Sequence, residues 1–444
     1  MRHLGGAALL ATALLWLIPG CGEAAPKPAL RVVLITLDTL RYDRFAGPGA
    51  VMPRLAASAQ SGTVFSRAYS ATSSTQPSHA SMFTGAHPWQ HGVSRNGQIL
   101  PENALTVTEL FSFAGFSTAA AVASFPMEGR FGFARGFDHY LDDFALGRPQ
   151  KKTWGGHAPD WKHFYSAADT VTDEALALID KSTGSRQFFF FHYFDAHSPY
   201  GDSAVPSEVV ETRELTAVAK QNNSELPAAL ARAEAAYDRD IEFLDQRIAQ
   251  LLERLATDAE HIETHIIITA DHGESFGDDG SFGHGDRVTE AQLHVPLIIL
   301  SQKVSPGVRG DPAGSIDMAR TLLALGGLDP HLVTGGRNLC PEPSGRTPRL
   351  VGMRRTYGEP ARDVRITGEV VSLTGLRFYQ LRDNGLIVGD SEALEGTDIT
   401  LADHDSSALR ELFGAFEQTL LSSDAEEQLD EQTRAALDAL GYTR

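Results

Sequence analysis

Four residues of the sequence carry side chains that could together hold a metal ion and attack an ester. Asp38 ends the stretch RVVLITLD, and Asp271 and His272 lie in the stretch ADHG. Two carboxylates and an imidazole, completed by a hydroxyl oxygen, suit a divalent ion such as Zn²⁺ or Mn²⁺. Thr75 could provide that hydroxyl, which becomes a useful nucleophile once a base or a metal lowers its pKa. Taken alone, Asp38 could be a loop cap and ADHG a turn around a buried histidine, but their combination favours a metal site.

The segment around Thr75 has the features of a helix start that faces an anion. Residues 72–85 read TSSTQPSHASMFTG, in which Ser73, Ser74 and Thr75 are consecutive and Pro77 follows. Proline is favoured in the first turn of a helix, whose free N–H groups and dipole attract negative charge. The pattern is compatible with a nucleophile at a helix N-terminus. Taken alone, however, it favours the alternative that Ser73, Ser74 or Thr75 only caps the helix.

Continuous apolar runs recur along the chain and predict the strands that must position these residues. Such runs, rich in β-branched residues, are typical of strands buried on both faces of a parallel sheet. The runs are RVVLITLD, STAAAVASF at 117–125, QFFFFHYFDAH at 187–197, THIIITADHG at 264–273 and, as a further candidate, HVPLIIL.

Helical periodicity lies between these runs. Apolar residues recur at spacings near three and four from Leu230 to Leu255, which predicts one long helix, and SIDMARTLLALGGL predicts another. Alternating strands and helices predict an α/β fold with a mostly parallel central sheet flanked by helices. Ligands in such folds bind beyond the carboxyl ends of the strands. The residues that fall at those ends are Asp38, Asp195, His197, Asp271 and His272.

The C-terminal part of the chain has a different pattern and predicts a small antiparallel subdomain. Strand-like alternation surrounds Asp383-Asn384-Gly385, which is a hairpin turn signal. Helices are expected in SALRELFGAFEQTLL, at 407–421, and near EEQLDEQTRAALDALGY, at 426–442. We therefore divide the chain into a catalytic α/β domain at 30–335 and a C-terminal α+β subdomain at 336–444.

The N-terminal residues predict export. Arg2 precedes AALLATALLWLI, an apolar run of 12 residues that is too short to span a bilayer and fits a signal peptide. The run leads into IPGC, where Cys21 follows a small residue as in a bacterial lipobox. We therefore expect residues 1–21 to be a lipoprotein signal with a lipidated Cys21, and residues 22–29 to be a tether. The protein would then sit on the membrane at the periplasmic face of the cell envelope. An ordinary signal peptide cut nearby is the alternative.

The composition excludes some classes of function. The chain has 444 residues, of which 42% are hydrophobic, enough for a large core. Its formal net charge of -19 argues against a nucleic acid partner, because such binding depends on Lys and Arg at phosphates. Cys21 and Cys340 are the two cysteines, so an intrachain disulfide framework is not expected.

Several motifs, taken in order, resemble the sulfatase branch of the alkaline phosphatase superfamily. They cover roughly residues 30–335, and the resemblance implies a large α/β domain with a small C-terminal sheet. The motifs are VVLITLDTLRYD, PSHASMFTGAHPWQHGV, GFARGFDHY, FHYFDAHSPY, IIITADHGESFG with FGHG, and HVPLIIL.

The nucleophile motif departs from that of the formylglycine sulfatases. Those enzymes have Cys or Ser, any residue, and then Pro-Ser-Arg, which aligns Thr75 with the Cys or Ser and His79 with the Arg. Threonine is not the residue that is converted to formylglycine, so this modification is not expected here. Related phosphodiesterases and phosphotransferases use an unmodified threonine at this position.

The metal motifs depart in the same direction. Sulfatases usually carry a pair of aspartates after the first strand, where this chain has Asp38 and Thr39, and they have Asp-Asn where this chain has Asp271-His272. Both changes resemble the phosphoryl-transfer relatives, which favour a transition metal over Ca²⁺. The resemblance therefore implies one divalent ion, with Zn or Mn favoured and Ca possible, held by Asp38, Thr75, Asp271 and His272.

The resemblance also implies roles around the substrate. Asn96 would bind a non-bridging oxygen, and His197 and His284 would donate to an anionic oxygen. Alternatively, these two histidines and Asp195 would hold a second metal. Arg41 and His79 are expected near the site, where they would help with charge.

The function expected from these observations is a sulfatase-family, metal-dependent hydrolase or transferase, of the ester hydrolase class. Thr75 would attack a phosphorus ester, such as a phosphodiester or a phosphonate monoester, of a small molecule or an envelope glycan. One alternative is a sulfuric ester hydrolase that lacks formylglycine. An alternative of another class is a catalytically inactive binding protein on the same fold.

Overall fold

The protein is described from a computed structural model. It describes residues 29–144, 165–201, 210–221, 224–278, 280–285, 287 and 289–340, together with the backbone of four later strands. The expected signal peptide, Cys21, the tether and the C-terminal helices at 407–421 and 426–442 lie outside these residues. No helix of the described part is both long and apolar enough to cross a membrane.

The helices and strands alternate as the sequence predicts. The strands are β1 (Leu30–Leu37), β2 (Thr63–Phe65), β3 (Ala68–Tyr69), β4 (Ser117–Val122), β5 (His139–Leu141), β6 (Arg186–Tyr193), β7 (Glu263–Thr269), β8 (Ser275–Phe276), β9 (Phe282–Gly283), β10 (Leu297–Leu300), β11 (Gly307–Arg309), β12 (Ala313–Gly314), β13 (Arg349–Thr356), β14 (Thr367–Leu373), β15 (Arg377–Arg382) and β16 (Gly385–Asp390). The helices are α1 (Tyr42–Phe45), α2 (Pro53–Ala59), α3 (Thr75–Thr84), α4 (Pro88–His91), α5 (Val107–Phe113), α6 (Ala168–Lys181), α7 (Thr212–Lys220), α8 (Leu226–Ala256), α9 (Glu290–Leu293) and α10 (Met318–Leu325).

The central sheet has eight strands in the order β11-β2-β10-β7-β1-β6-β4-β5. Strand β1 is buried along its whole length and runs parallel to β6 on one side and β7 on the other. Strand β10, the candidate strand in HVPLIIL, is antiparallel to both β7 and β2. Because β7, β1, β6 and β4 are mutually parallel, their carboxyl ends meet at one edge of the sheet, as expected.

The phenylalanine run in β6 shows why the sheet is buried on both faces. Phe188 stacks on Phe111 of α5 and Phe190 packs edge-on against Phe83 of α3, with ring centroids 4.4 and 5.0 Å apart. Tyr193 faces the other way, where its hydroxyl lies 3.1 Å from that of Thr172 in α6. Since alternate side chains of a strand point to opposite faces, a strand covered on both sides needs apolar residues at successive positions.

The predicted long helix and the predicted hairpin are both confirmed. The expected apolar face of α8 is buried, including Ile241, Leu244 and Ile248. In the C-terminal part, β13 pairs with β14 and β15 pairs with β16, both antiparallel. The latter pair closes at Arg382 and Gly385, on either side of the predicted turn. An α/β fold with a small antiparallel C-terminal part is therefore confirmed.

Candidate active site

The predicted metal ligands come together at the carboxyl edge of the sheet. Asp38 directly follows β1, while Asp271 and His272 lie just beyond the end of neighbouring β7, and all three are buried. Each offers one ligand atom, and these atoms lie within 4.8 Å of one another. Among the described residues, no other group of three or more Asp, Glu, His or Cys side chains meets this distance criterion.

The hydrogen bonds around the two carboxylates show that a cation fits between them. Oδ1 of Asp271 accepts from the backbone N–H groups of Thr39, at 3.2 Å, and of His272, at 2.9 Å. Oδ1 of Asp38 and Oδ2 of Asp271 are buried and accept no hydrogen bond. Buried carboxylate oxygens normally have partners, so two orphaned oxygens beside one imidazole indicate a site for a divalent ion.

The orientation of His272 leaves its Nε2 available to that ion. Its Nδ1–H donates to the carbonyl of Gly273 at 3.0 Å, so the lone pair of the neutral ring is on Nε2. Nε2 lies 3.7 Å from Asp38 Oδ1, 3.4 Å from Asp271 Oδ2 and 3.4 Å from Thr75 Oγ1. A fixed tautomer with Nε2 directed at three oxygens is the arrangement that a metal-ligating histidine needs.

The electrostatics of the two carboxyl groups support the same conclusion. Burial and the neighbouring charge of Asp271 raise the pKa of Asp38 well above its ordinary value. Burial also acts to raise the pKa of Asp271, but the imidazoles of His272, His79 and His192 outweigh it and hold that pKa below its ordinary value. Ionising both carboxyl groups at once is therefore costly, because two adjacent buried negative charges repel each other and are poorly solvated. A divalent ion would allow both to be ionised.

Thr75 is the first residue of α3 and lies beside this cluster. The preceding residue, Ser74, occupies the N-cap position but makes no capping hydrogen bond with its side chain. The buried hydroxyl of Ser73 also has no hydrogen-bond partner. The alternative that these serines cap the helix therefore has no support, and the hydroxyl that faces the metal ligands is that of Thr75.

His79 lies beneath Thr75 rather than facing the substrate side. Its Nδ1–H donates to the backbone carbonyl of Thr75, and its Nε2 accepts from the hydroxyl of Thr36, both at 2.9 Å. Burial lowers the pKa of His79 to about 3, so the ring is neutral near pH 7. Because both nitrogens are occupied, His79 supports the start of α3, and its position differs from the predicted role in charge stabilisation.

Asn96 lies at the N-terminus of the same helix. Its Oδ1 accepts from the backbone N–H of Gln76 at 2.8 Å, which fixes the amide. Its Nδ2 is buried and has no hydrogen-bond partner. An orphaned donor at the start of α3 agrees with the predicted contact to a substrate oxygen.

The two predicted substrate-side histidines also lie at this edge. The His284 ring is 4.4 Å from that of His272 and 4.8 Å from that of His197. Nδ1 of His284 donates to the carboxylate of Glu274 at 3.2 Å. Gly285 adopts φ +84° and lies beside Ser74, where a Cβ would be in ordinary van der Waals contact with Ser74 Oγ at 3.5 Å. The FGHG loop therefore lies against the start of α3.

The predicted second metal site is not assembled among the described residues. Asp195, His197 and His284 do not form a group with ligand atoms close enough for one ion. Oδ1 of Asp195 instead accepts from the N–H of Ala168, at the first turn of α6, at 3.0 Å. Asp195 thus has a structural role at the start of α6.

Arg41 is also held within the protein. All five N–H donors of its guanidinium are used: by the carboxylates of Asp43 and Asp278, and by the carbonyl of Glu274. This differs from the predicted contact with substrate. The arginine instead ties the loop after β1 to the loop that follows His272.

Sequence reasoning missed two residues of the site. His192, in β6, lies with Nε2 3.3 Å from Asp38 Oδ2. Glu274 is buried, and Tyr200 donates to its Oε2 at 2.6 Å. The signal for His192 was a polar residue inside the otherwise apolar strand FFFFHY, and the signal for Glu274 was a carboxylate two positions after His272.

Comparisons with known proteins agree with this geometry. The choline-sulfatase of Rhizobium meliloti (strain 1021) is 29% identical over 117 residues, which cover 26% of this chain and 23% of that protein. The uncharacterized sulfatase YidJ of Escherichia coli (strain K12) is 23% identical over 324 residues, 63% of this chain and 64% of that protein. The chain therefore spans less than two thirds of the length of these relatives.

Solved structures of two kinds of hydrolase share the fold. The phosphonate monoester hydrolase SpPMH from Silicibacter pomeroyi is 20% identical, with a TM-score of 0.64, and the match covers 90% of this chain and 97% of that one. A 2-O GAG sulfatase is 17% identical, with a TM-score of 0.65 and coverage of 91% and 96%. A sequence model of the sulfatase family matches residues 31–328, more than half of the chain. The chain therefore belongs to the sulfatase family.

Proposed function

We propose that this sulfatase-family hydrolase acts on phosphorus esters and uses Thr75 as its nucleophile. The observation that carries the proposal is the position of the Thr75 hydroxyl, at the start of α3 and 3.4 Å from Nε2 of His272. The similar fold of a phosphonate monoester hydrolase is compatible with phosphorus esters, but a 2-O GAG sulfatase has an equally similar fold, so the choice of phosphorus rests on the residue at position 75. The substrates proposed are phosphodiesters or phosphonate monoesters, of a small molecule or an envelope glycan.

Asp38, Asp271, His272 and Thr75 would hold one divalent ion. Such an ion lowers the pKa of a hydroxyl that it contacts and neutralises charge on the phosphorus oxygens. The mixed nitrogen and oxygen donors favour Zn²⁺ or Mn²⁺, whereas Ca²⁺ prefers sites made of oxygen alone.

The residues of the chain would then carry out two steps. Thr75 Oγ1, having lost its proton to solvent, bonds to phosphorus as the bond to the leaving oxygen breaks. His284, with Nδ1 held by Glu274, would give that oxygen a proton from Nε2. In the second step a water attacks the phospho-threonine, passes its proton to His284 and releases Thr75. Asn96 Nδ2 would donate to a non-bridging oxygen.

The residue type at position 75 favours phosphorus over sulfur. Threonine is not converted to formylglycine, and an unmodified alkoxide is suited to in-line attack on phosphorus. Sulfate ester cleavage in this family usually depends on the aldehyde hydrate, which offers a route to expel sulfate. A sulfated Thr75 would lack that route.

The test is a substitution series assayed on a panel of aryl phosphate monoesters, phosphodiesters, phosphonates and sulfates. We expect Thr75→Ala to lower kcat by at least about 10³-fold, as loss of a nucleophile does, and Thr75→Ser to retain part of the rate. Ser74→Ala is the matched control and should change the rate little. Intact mass spectrometry during turnover should detect a phosphoryl group on Thr75. Near-wild-type rates for Thr75→Ala, or turnover of sulfates but of no phosphorus ester, would contradict the proposal.

A further inference from the structure

Each carboxylate of the candidate metal site has one oxygen that is already occupied. Asp271 Oδ1 accepts from two backbone N–H groups, whereas its Oδ2 is the orphaned oxygen. Asp38 Oδ2 lies 3.3 Å from Nε2 of His192, whereas its Oδ1 is the orphaned oxygen. Each carboxylate therefore has one oxygen without a hydrogen bond, and this is the oxygen that is most available to an ion.

His192 is held so that it can only donate to Asp38. Its Nδ1 accepts from the backbone N–H of Ala123, at 3.3 Å, which places the proton of the neutral ring on Nε2. His192 is fully buried in β6, and its pairing partner in the neighbouring strand β1 is Thr36. The ring also packs edge-on against that of His79, with centroids 5.1 Å apart. The hydrogen bond from Ala123 therefore fixes the tautomer of His192, and the surrounding packing fixes the position of its ring.

The N–H groups that hold Asp271 are similarly fixed. Thr39 adopts φ +58°, an unusual backbone conformation for a β-branched residue. Its carbonyl accepts from the hydroxyl of Tyr237, in α8, at 2.8 Å, and its own hydroxyl donates to the carbonyl of Asp38 at 2.7 Å. This strained turn keeps the Thr39 N–H directed at Asp271 Oδ1.

The number of donor atoms bears on the choice of ion. Calcium takes six to eight oxygen ligands and commonly binds a carboxylate through both oxygens, whereas zinc takes about four ligands, each through one nitrogen, oxygen or sulfur atom. Here the donors are one oxygen each from Asp38 and Asp271, Nε2 of His272 and the Thr75 hydroxyl. Four single donors match the coordination number of zinc, whereas calcium would need two to four further ligands from water or substrate.

We propose that His192 is a positioning residue that restricts Asp38 to one donor oxygen and so makes the site select a transition metal ion over Ca²⁺. The backbone amides of Thr39 and His272 do the same for Asp271. This inference rests on the metal site of the proposed function, but it concerns which ion the chain binds and does not depend on the ester that is cleaved.

The test measures metal binding to the metal-free protein. Zn²⁺, Mn²⁺ and Ca²⁺ are titrated in competition with a chelator, and circular dichroism checks the fold of each variant. We expect the wild type to bind Zn²⁺ at least about 100-fold more tightly than Ca²⁺. His192→Phe, which removes the donor, should weaken Zn²⁺ binding by about 10- to 100-fold, the range for loss of a group that orients a ligand, and should not weaken Ca²⁺ binding, so the preference for Zn²⁺ falls by the same factor. His192→Gln, which keeps a donor of similar reach, should recover most of this loss.

The matched control is His91→Phe. His91 is another buried histidine, but its ring nitrogens pair with Ser81 Oγ and the N–H of Val93 and contact no carboxylate. This variant should keep the wild-type preference for Zn²⁺. If His192→Phe does not fold, His192→Asn replaces it, because that amide is too short to reach Asp38.

Three results would overturn the inference. The first is a wild type that binds Ca²⁺ as tightly as Zn²⁺. The second is a His192→Phe or His192→Asn variant whose affinity for Zn²⁺ is unchanged. The third is an equal loss of Zn²⁺ affinity in the His192 variants and in His91→Phe. A protein that selects Zn²⁺ but cleaves no phosphorus ester would instead contradict the proposed function alone.

Discussion

At the scale of single residues, the site brings three buried carboxylates together with histidines that each have a defined partner. Asp38 and Asp271 face the proposed ion, whereas Glu274 accepts from His284 and from Tyr200. When one ring nitrogen of a histidine donates a hydrogen bond to a carboxylate, the other ring nitrogen is the one that can face the substrate. We therefore expect Glu274 to act through His284 rather than on the substrate.

This arrangement predicts a leaving-group effect for Glu274→Gln. We expect kcat to fall by about 10- to 100-fold, as for other groups that orient a functional side chain. The loss should be larger for esters with poorly acidic leaving alcohols, because these depend most on a proton from His284. The measurement is kcat for a series of aryl and alkyl esters, with metal content checked by elemental analysis.

Tyr200→Phe is the comparison for that experiment, since it removes one hydrogen bond to Glu274 but leaves the contact with His284. Its effect should be several times smaller. An equal loss for all leaving groups in Glu274→Gln would show that Glu274 is not needed for proton transfer.

Sequence reasoning reached the residues that lie together at the candidate site, but not the partners of every side chain. Asp38, Thr75, Asp271 and His272 were recognisable because their residue types and their places after predicted strands are visible in the chain. Arg41 was not assigned correctly, because Asp278, one of its two acidic partners, is 237 positions away in the sequence. Pairings of this kind depend on the fold and leave no local signal.

At the scale of elements, α8 connects several parts of the domain. Its Tyr237 holds the turn after β1, and its Asp238 pairs with Arg44 at 2.6 Å. Its buried Asp245 accepts from the N–H groups of Arg54 and Leu55, at 3.0 and 2.8 Å. These two groups lie in the first turn of α2, whose N-cap residue, Met52, makes no side-chain cap. A side chain from another helix thus provides the missing cap.

We therefore expect Asp245→Asn to lower the free energy of unfolding by about 2 kcal/mol, the usual loss for a cap or a buried charged acceptor. The side-chain amide that replaces the carboxylate has only one oxygen, so its NH₂ group would face one of the two backbone N–H groups without a hydrogen bond. Asp238→Asn, on the same helix but partly exposed, should lose less than about 1 kcal/mol. Urea unfolding at pH 7 gives both values. Equal losses in the two variants would contradict the capping role.

The buried His91, at the end of α4, should make the free energy of unfolding depend on pH. Burial lowers its pKa to about 3, whereas an unfolded histidine titrates near 6.5. The unfolded chain therefore binds this proton more readily, and the contribution is full above about pH 6.5 and is lost as the pH falls toward 3. The slope is at most about 1.4 kcal/mol per pH unit.

In His91→Asn, which keeps an acceptor for Val93, this slope should disappear. The variant should be less stable at pH 7, and its disadvantage should shrink as the pH is lowered. Unfolding free energies at pH 7, 6 and 5 provide the measurement. Parallel curves for the two proteins would show that His91 does not contribute.

The strands were easier to predict from the sequence than their arrangement. Runs such as RVVLITLD are long and uniformly apolar because β1 is buried on both faces, so their existence could be predicted. The strand order and the antiparallel direction of β10 could not be predicted, because they depend on contacts between distant segments of the chain. The strand ends were also approximate: β6 stops at Tyr193, before Asp195 and His197.

At the scale of the whole molecule, we propose that the protein is exported and held at the periplasmic face of the envelope by a lipid on Cys21. Cys21→Ala should then move the protein from the membrane fraction to the soluble fraction or block its processing. Cys340→Ala is the control: Cys340 is partly buried, and burial raises the pKa of its thiol to about 11. A soluble wild type with an N-terminus other than residue 21 would contradict this proposal.

The position of β1 at the centre of the sheet also sets the order in which the molecule can form. It precedes the other described strands in the chain, and its partners β6 and β7 come much later; Arg31 and its partner Gln187 are 156 positions apart. Thr39 and Asp271 are separated by 232 positions. Non-local pairing of this kind slows folding and leaves apolar strands exposed meanwhile. The metal site therefore cannot close until most of the domain has been made, and a chain that crosses a membrane in extended form would meet its metal only on the far side.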